Sequence, residues 1–205
     1  MSTGNRQVVV VVDFQADFTE YGNGALAVPG TGQDYVEEVI SRTRSYKEQG
    51  LFVLATRDYH PVDHISFHTS HEGKRPFDVV DISGRKQVLW PPHCMQATEG
   101  AEILLPPELI TAVVSKGEDP ESESYSGFRD ESGRDTELKA LLQNLGAKEL
   151  IVFGLAMDYC VRATVLHALE EGFAVTLITS LTRGVTPEGA KAAMEEMKAS
   201  GVRID

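Results

Sequence analysis

Gly154-Leu155-Ala156-Met157-Asp158-Tyr159-Cys160-Val161-Arg162 follows an apolar run, Leu150 to Phe153, that has the length and composition of a buried strand. Behind it Val161, Val165 and Ala168 recur at helical spacing, with Ala163, Leu166 and Leu169 beside them. The segment therefore predicts a strand, a tight turn through Gly154, and a helix whose first turn holds Cys160. Backbone N–H groups at a helix start have no intrahelical partner, and the aligned peptide dipoles favour negative charge there. A thiol so placed is expected to ionise more easily, and the thiolate is the nucleophile. The alternative is a small buried Cys packing a helix against a sheet, since free Cys is among the most buried residue types.

Working outward, Leu138, Leu141, Leu142 and Leu145 form a helical stripe closed by Gly146. On the other side Phe173 to Thr179 predicts a strand, Pro187 to about Ala199 a helix with Pro near its start, and Val202 to Ile204 a last strand. Val8 to Val12 is β-branched and continuous, the mark of a strand buried on both faces of a parallel sheet. Residues 21–32 are Gly-rich and loop-like. Val36, Val39, Ile40, Thr43 and Tyr46 then mark a helix from about Gln33 to Gln49, stopped by Gly50. Leu51 to Thr56 and Thr111 to Ser115 are two further buried strands. Between them, residues 57–107 look irregular and carry five of the six histidines, the only Trp and six prolines. A loop region of that size in a compact domain is usually functional or disordered, and its aromatic and histidine content favours function. Strands alternating with helices predict an α/β fold with a mainly parallel sheet of about six strands covered on both faces, in one domain over residues 1–205.

Composition is that of a globular chain, 41% hydrophobic and 24% charged. A formal net charge of −12 argues against nucleic-acid or anionic-membrane partners. The apolar run near the N-terminus is too short for a membrane span or a signal-peptide core. Two cysteines make no disulfide framework, so a reducing, cytoplasmic location is the expectation.

On this frame Asp13, Asp58, Lys116 and Cys160 each follow a strand, at the carboxyl edge where open α/β sheets place their ligand crevice. Singly, Asp13 could be a turn residue and Lys116 a solvated surface residue. Together a thiol, a carboxylate and an ammonium suit amide hydrolysis: the thiolate attacks the carbonyl, and the carboxylate carries the proton to the leaving amine. Asp58 and His60 lie two apart, His64 follows, and His93 comes later in Trp90-Pro91-Pro92-His93-Cys94. Two histidines and a carboxylate make a common metal-binding set. His60, His64, His68 and His71 could equally form a polar loop surface.

Several segments, in this order along almost the whole chain, resemble the nicotinamidases of the isochorismatase-like cysteine hydrolase superfamily. They are Val11-Val12-Asp13-Phe14-Gln15-Ala16-Asp17-Phe18, Arg57-Asp58-Tyr59-His60-Pro61 with His64-Ile65-Ser66-Phe67, Trp90-Pro91-Pro92-His93-Cys94, Lys116-Gly117 with Ser124-Tyr125-Ser126, and the Cys160 segment. The resemblance implies a three-layer α/β/α fold, Cys160 as nucleophile, Asp13 as general base and acid, and Lys116 as support for their ionisation. It implies a cis peptide at Leu155–Ala156, with the N–H groups of Ala156 and Cys160 forming an oxyanion hole. Asp58, His60 and His93 map onto ligands of one divalent metal, zinc before iron or manganese, that orients the pyridine ring. Phe18 and Trp90 map onto aromatics flanking that ring, Gln15 onto the surrounding support, and His64 onto support or a fourth ligand.

The expected reaction converts nicotinamide and water to nicotinate and ammonia, a step of NAD salvage, with analogues such as pyrazinamide as further substrates. Homo-oligomerisation is left open. Glu123, where many relatives have Asp, and Met157, where Thr is frequent, depart from the pattern at positions expected not to touch the chemistry, and the C-terminus reads as shortened. Three rivals remain at this stage: an amidase of another small carboxamide without the metal set, an inactive binding relative, and a metallohydrolase in which Cys160 is incidental.

Overall fold

The computed structural model describes residues 6–82 and 84–205. Its strands are β1 (Gln7–Val12), β2 (Phe52–Asp58), β3 (Val79–Ile82), β4 (Arg85–Val88), β5 (Ala112–Lys116), β6 (Glu149–Leu155), β7 (Ala174–Arg183) and β8 (Arg203–Ile204). Six of them form one sheet in the order β5-β2-β1-β6-β7-β8, with every neighbouring pair parallel. The chain steps outward from β1 to β2 and β5, then returns to the other side of β1 with β6. This reversal between β1 and β6 is the topological switch point at which such sheets open a crevice.

Alternation along β1 divides the core. Val8, Val10 and Val12 pack with Leu150 and Val152 under α2 (Leu138–Asn144), α3 (Arg162–Glu170) and α4 (Pro187–Ala199). Val9 and Val11 pack with Ile151 and Phe153 under α1 (Gln33–Glu48), through its buried Val36 and Val39. All five valines are fully buried, so a polar residue at any of them forfeits about 1.5–3 kcal/mol of burial. Helices cover both faces as expected. Among the described residues no helix is long and apolar enough to cross a membrane.

Four strand ends at the carboxyl edge differ from expectation. β2, β5 and β6 run on through Asp58, Lys116 and Leu155, so Asp58 and Lys116 close their strands instead of following them. β7 continues to Arg183, beyond the expected end at Thr179, and a register shift in β6 between Val152 and Gly154 accompanies this extension. Gly154 is therefore not the turn. It sits inside β6 between Val12 and Thr182 at φ +127°, and a Cβ there would lie 2.1 Å from the Val12 carbonyl oxygen. The chain turns one residue later, at Leu155–Ala156, whose peptide bond is cis, and Cys160 lies in a π-helical turn, Met157–Val161, before α3. Finally, β3 and β4 form an antiparallel hairpin inside the stretch expected to be irregular.

Candidate active site

Asp13, Asp58, Lys116 and Cys160 meet at the carboxyl edge of the sheet. Asp58 and Lys116 are register partners on β2 and β5, which turns both side chains to the same face. Asp13 leaves β1 at φ +45°, a left-handed conformation uncommon outside glycine. Its backbone N–H donates to Thr56 Oγ1 at 3.2 Å, and the Thr56 hydroxyl donates back to Asp13 Oδ1 at 2.6 Å. The other oxygen, Oδ2, lies 2.9 Å from Lys116 Nζ. That ion contact is not aligned as a hydrogen bond, so Oδ2 is a buried carboxylate oxygen without a hydrogen-bond donor among the described residues.

Lys116 is fully buried and holds the cluster together. Its Nζ donates to Ser124 O at 2.8 Å and to Cys160 Sγ at 3.5 Å, and it pairs with Asp58 Oδ1 as well as Asp13. Burial alone would lower its pKa, but Asp13 and Asp58 outweigh that and hold the ammonium well above its ordinary range. Burial raises Asp13 against the opposing pull of Lys116, with Asp58 adding to the rise.

Cys160 departs from expectation. Burial pushes its thiol well up, Lys116 offsets this only in part, and Asp13 and Asp58 push the same way. Ligand atoms of Asp13, Asp58 and Cys160 all lie within 4.8 Å of one another, so a thiolate would be a third anion beside one ammonium. The easily ionised thiol expected at a helix start is overridden by this crowding. Without a cation at Asp58, burial and the two carboxylates therefore favour the neutral thiol.

Asp58 faces two ways. Its Oδ1 meets Lys116, while Oδ2 lies 3.6 Å from His60 Nε2 and 4.0 Å from His93 Nε2. Each histidine turns Nδ1 to a main-chain carbonyl, His60 to Gly117 O at 2.9 Å and His93 to Pro91 O at 2.8 Å. Carbonyls only accept, so Nδ1 carries the proton and Nε2 presents its lone pair toward Asp58. This buried set of one carboxylate oxygen and two imidazole nitrogens within 4.8 Å fits a divalent cation. Burial, then His60, pushes His93 down to about 4, which keeps that imidazole neutral. Burial would lower His60 as well, but Asp58 outweighs it and raises the pKa. Burial, with Lys116 and His60 against it, leaves Asp58 below the usual carboxylate range.

Gln15 supports this corner. Its amide donates to Asp58 O at 2.8 Å and Ala101 O at 2.9 Å, while its Oε1 accepts from the Asp58 N–H at 2.8 Å. His64 stacks on His60 at 4.1 Å with both ring nitrogens engaged, Nδ1 with Ser66 Oγ at 2.7 Å and Nε2 with Ser122 O at 3.2 Å. His68 and His71 stand outside the cluster.

Beside Cys160 lies a small, mostly apolar cavity. Expected residues among its lining are Phe18, Asp58, Trp90, His93, Ala156 and Cys160. Leu26, Val28, Tyr125, Tyr159 and Val185 were not foreseen; they come from loops and turns with no periodic pattern. Glu123 also lines it, and a carboxylate oxygen of Glu123 lies within 4.8 Å of ring nitrogens of His60 and His64. Phe67, quoted in the sequence without a role, packs edge-on against His60, His64 and His93. Asp17, also quoted without a role, accepts the Cys94 N–H at Oδ2 at 2.7 Å and fixes the loop carrying His93.

The Isochorismatase domain family matches residues 7–204. The nicotinamidase of Escherichia coli is 41% identical over 204 residues, covering 97% of this chain and 93% of its own. Two solved structures superpose on nearly the whole chain. The pyrazinamidase of Pyrococcus horikoshii in complex with zinc is 38% identical, with TM-score 0.81 and 98% of each chain covered. PnC1 from L. infantum in complex with nicotinate is 32% identical, with TM-score 0.81, 100% of this chain covered and 94% of that one.

Proposed function

The chain belongs to the isochorismatase family, and from that premise we propose that it is a nicotinamidase: it hydrolyses the linear carboxamide of nicotinamide to give nicotinate and ammonia. The observation that carries this reading is the convergence of Asp13, Lys116 and Cys160 beneath an aromatic-lined cavity whose wall also bears Asp58 and His93. Pyrazinamide, a flat ring carboxamide of the same size, belongs to the substrate range, in line with the P. horikoshii relative.

Cys160 Sγ attacks the carboxamide carbon while Asp13 Oδ2 takes the thiol proton. The oxyanion is met by the N–H groups of Ala156 and Cys160, and Lys116 stabilises the anionic partners as charge moves between them. Asp13 then gives its proton to the leaving nitrogen, ammonia departs, and a thioester remains on Cys160. Water attacks the thioester as Asp13 takes one of its protons, and expulsion of the Cys160 thiolate, reprotonated by Asp13, frees the acid, which loses its remaining proton to solvent as nicotinate. Phe18 and Trp90 flank the ring and, with the apolar wall, exclude competing water.

Asp58, His60 and His93 would hold the divalent cation, zinc by analogy with the P. horikoshii complex, and such an ion supplies an electron-pair acceptor for the pyridine nitrogen. His64, with both ring nitrogens occupied, supports His60 from behind. The whole chain is read as one hydrolase domain, and its two free cysteines suit a reducing, cytoplasmic setting.

The test is ammonia release from nicotinamide, with metal content measured on the same sample, by wild type, Cys160→Ala and Cys94→Ala. Wild type and Cys94→Ala are expected to turn over, because Cys94 Sγ is buried against Gly100 O, while Cys160→Ala should fold and be inactive. Activity in Cys160→Ala would overturn the acyl-enzyme mechanism; no ammonia from wild type would overturn the substrate.

A further inference from the structure

Among the residues of β3 and β4 only Gln87 is buried. A lone buried amide on a hairpin whose other strand residues are exposed or half-buried needs a reason, because a buried polar group without partners is costly. Gln87 has partners, and they belong to the active-site cavity. Its Nε2 lies 2.7 Å from Val88 O, 3.2 Å from Glu123 Oε2 and 3.3 Å from Tyr125 Oη.

A carbonyl and a carboxylate only accept, which fixes the amide with its NH₂ toward this side, so Gln87 donates to Tyr125 as well. Tyr125 Oη also receives the indole N–H of Trp90 at 3.2 Å. The phenol oxygen is thus held from two sides by obligate donors, one from the hairpin and one from the aromatic wall. Tyr125 and Glu123 line the substrate cavity on one side and, on the other, a second cavity with about 660 Å³ of empty space shared with Ile82, Arg85 and Gln87 itself. Gln87 touches only the second. Tyr125 and Glu123, which line both spaces, form the partition between them, and Gln87 holds both from the second side.

The geometry points to Gln87 as a specificity-determining residue: by fixing Tyr125 and Glu123 it keeps the partition closed and limits the site to small, unsubstituted ring carboxamides. This rests on the nicotinamidase reading and extends it to residues that do not touch substrate. Gln87 lies away from Cys160 and is a positioning residue, so its loss should change which rings fit more than how fast a fitted ring reacts.

The experiment compares wild type, Gln87→Ala and Gln87→Leu on nicotinamide and the set of ring-methylated nicotinamides. A pocket that rejects one methyl discriminates by about 10–200-fold in kcat/KM. Both variants should narrow that discrimination by about tenfold for at least one methyl isomer, raise KM for nicotinamide by about fivefold, the worth of one hydrogen bond, and keep kcat within about twofold. Leu nearly preserves the volume of Gln, so this variant stands if the Ala variant fails to fold. Trp90 is the only tryptophan, and its emission should shift in both variants once Tyr125 is released; a role confined to hairpin stability would not move it. Unchanged discrimination and unchanged Trp90 emission overturn the inference while wild type still releases ammonia from nicotinamide. A fall in kcat shared equally by all substrates also overturns it. No ammonia from wild type removes the nicotinamidase reading, and the inference with it.

Discussion

Lys116 Nζ lies 2.9 Å from Asp13 Oδ2, with both side chains fully buried. A buried ammonium is tolerated only where anions compensate it, and here two carboxylates do so, with the Cys160 sulfur 3.5 Å away. Asp58 divides its oxygens between Lys116 and the histidines, so the proposed nucleophile cluster and the proposed cation site share one carboxylate. The cluster is therefore one electrostatic unit, and a change at any member should be felt by the others.

Asp13→Asn keeps the shape of the side chain but removes the proton acceptor. General acid–base catalysis contributes about 10²–10⁴-fold, so kcat and kcat/KM for nicotinamide should both fall by that order. Thr56→Val removes the 2.6 Å hydrogen bond that orients Oδ1 and should cost about 10–100-fold, the worth of a bond to a charged group. Steady-state kinetics checks both. A loss below about tenfold in Asp13→Asn lies under the range for acid–base catalysis and would leave Asp13 a turn residue.

The raised Cys160 pKa makes a statement about pH. The thiolate is the species that alkylates, and its fraction grows about tenfold per pH unit while pH stays below the pKa. In metal-free Cys94→Ala protein, alkylation of Cys160 by iodoacetamide should climb with that slope through the neutral range and beyond, without a plateau. Lys116 lowers the Cys160 pKa, so Lys116→Ala should be slower at every pH in the range. A plateau near neutrality would mean a preformed thiolate and a different first step.

The parts of this molecule written as local pattern were legible in the sequence. Val8–Val12 has no polar position and could only be a doubly covered strand, and the stripe of α1 carries its own period. The strand-end rule then brought Asp13, Asp58, Lys116 and Cys160 to one edge, before any family resemblance was invoked. The resemblance, in turn, supplied what spacing left open: the pairing of Asp58 and His60 with His93, more than thirty positions further along. What stayed hidden depends on non-local contacts. Gly154 looked like a turn because its actual constraint, the Val12 carbonyl, lies on another strand. The hairpin was invisible because Arg85-Lys86-Gln87 lacks apolar alternation, its single buried residue being an amide. The Cys160 pKa could not be read from a helix start alone, since burial and two carboxylates from β1 and β2 decide it.

Removing Lys116 should destabilise the fold. Lys116→Met leaves Asp13 and Asp58 buried without their ammonium, and breaking a buried pair costs about 3–5 kcal/mol. In metal-free protein, denaturant unfolding should show a loss of that order. Adding Asp13→Asn should recover part of it, because one uncompensated charge disappears. Additive losses in the double variant would show that the two residues do not interact energetically.

A metal that holds substrate behaves differently from one that activates water. Asp58, His60 and His93 bring their ligand atoms within 4.8 Å of one another, and Asp58 and His93 line the cavity together with Cys160. Chelation should weaken nicotinamide binding, readable as reduced quenching of Trp90 emission on titration as well as slower ammonia release. Benzamide carries the same carboxamide on a ring of the same size but has no ring nitrogen. It should stack between Phe18 and Trp90 yet sit without a fixed orientation, so its carbonyl meets Cys160 only by chance, and misplacement of about 1 Å already costs on the order of 10²-fold. Its kcat/KM on metal-loaded protein should therefore lie far below that of nicotinamide, and chelation should leave it almost unchanged. A water-activating metal would treat the two amides alike, and chelation would abolish both activities together. Comparable kcat/KM for nicotinamide and benzamide on the loaded protein would sink the substrate-holding role of Asp58, His60 and His93.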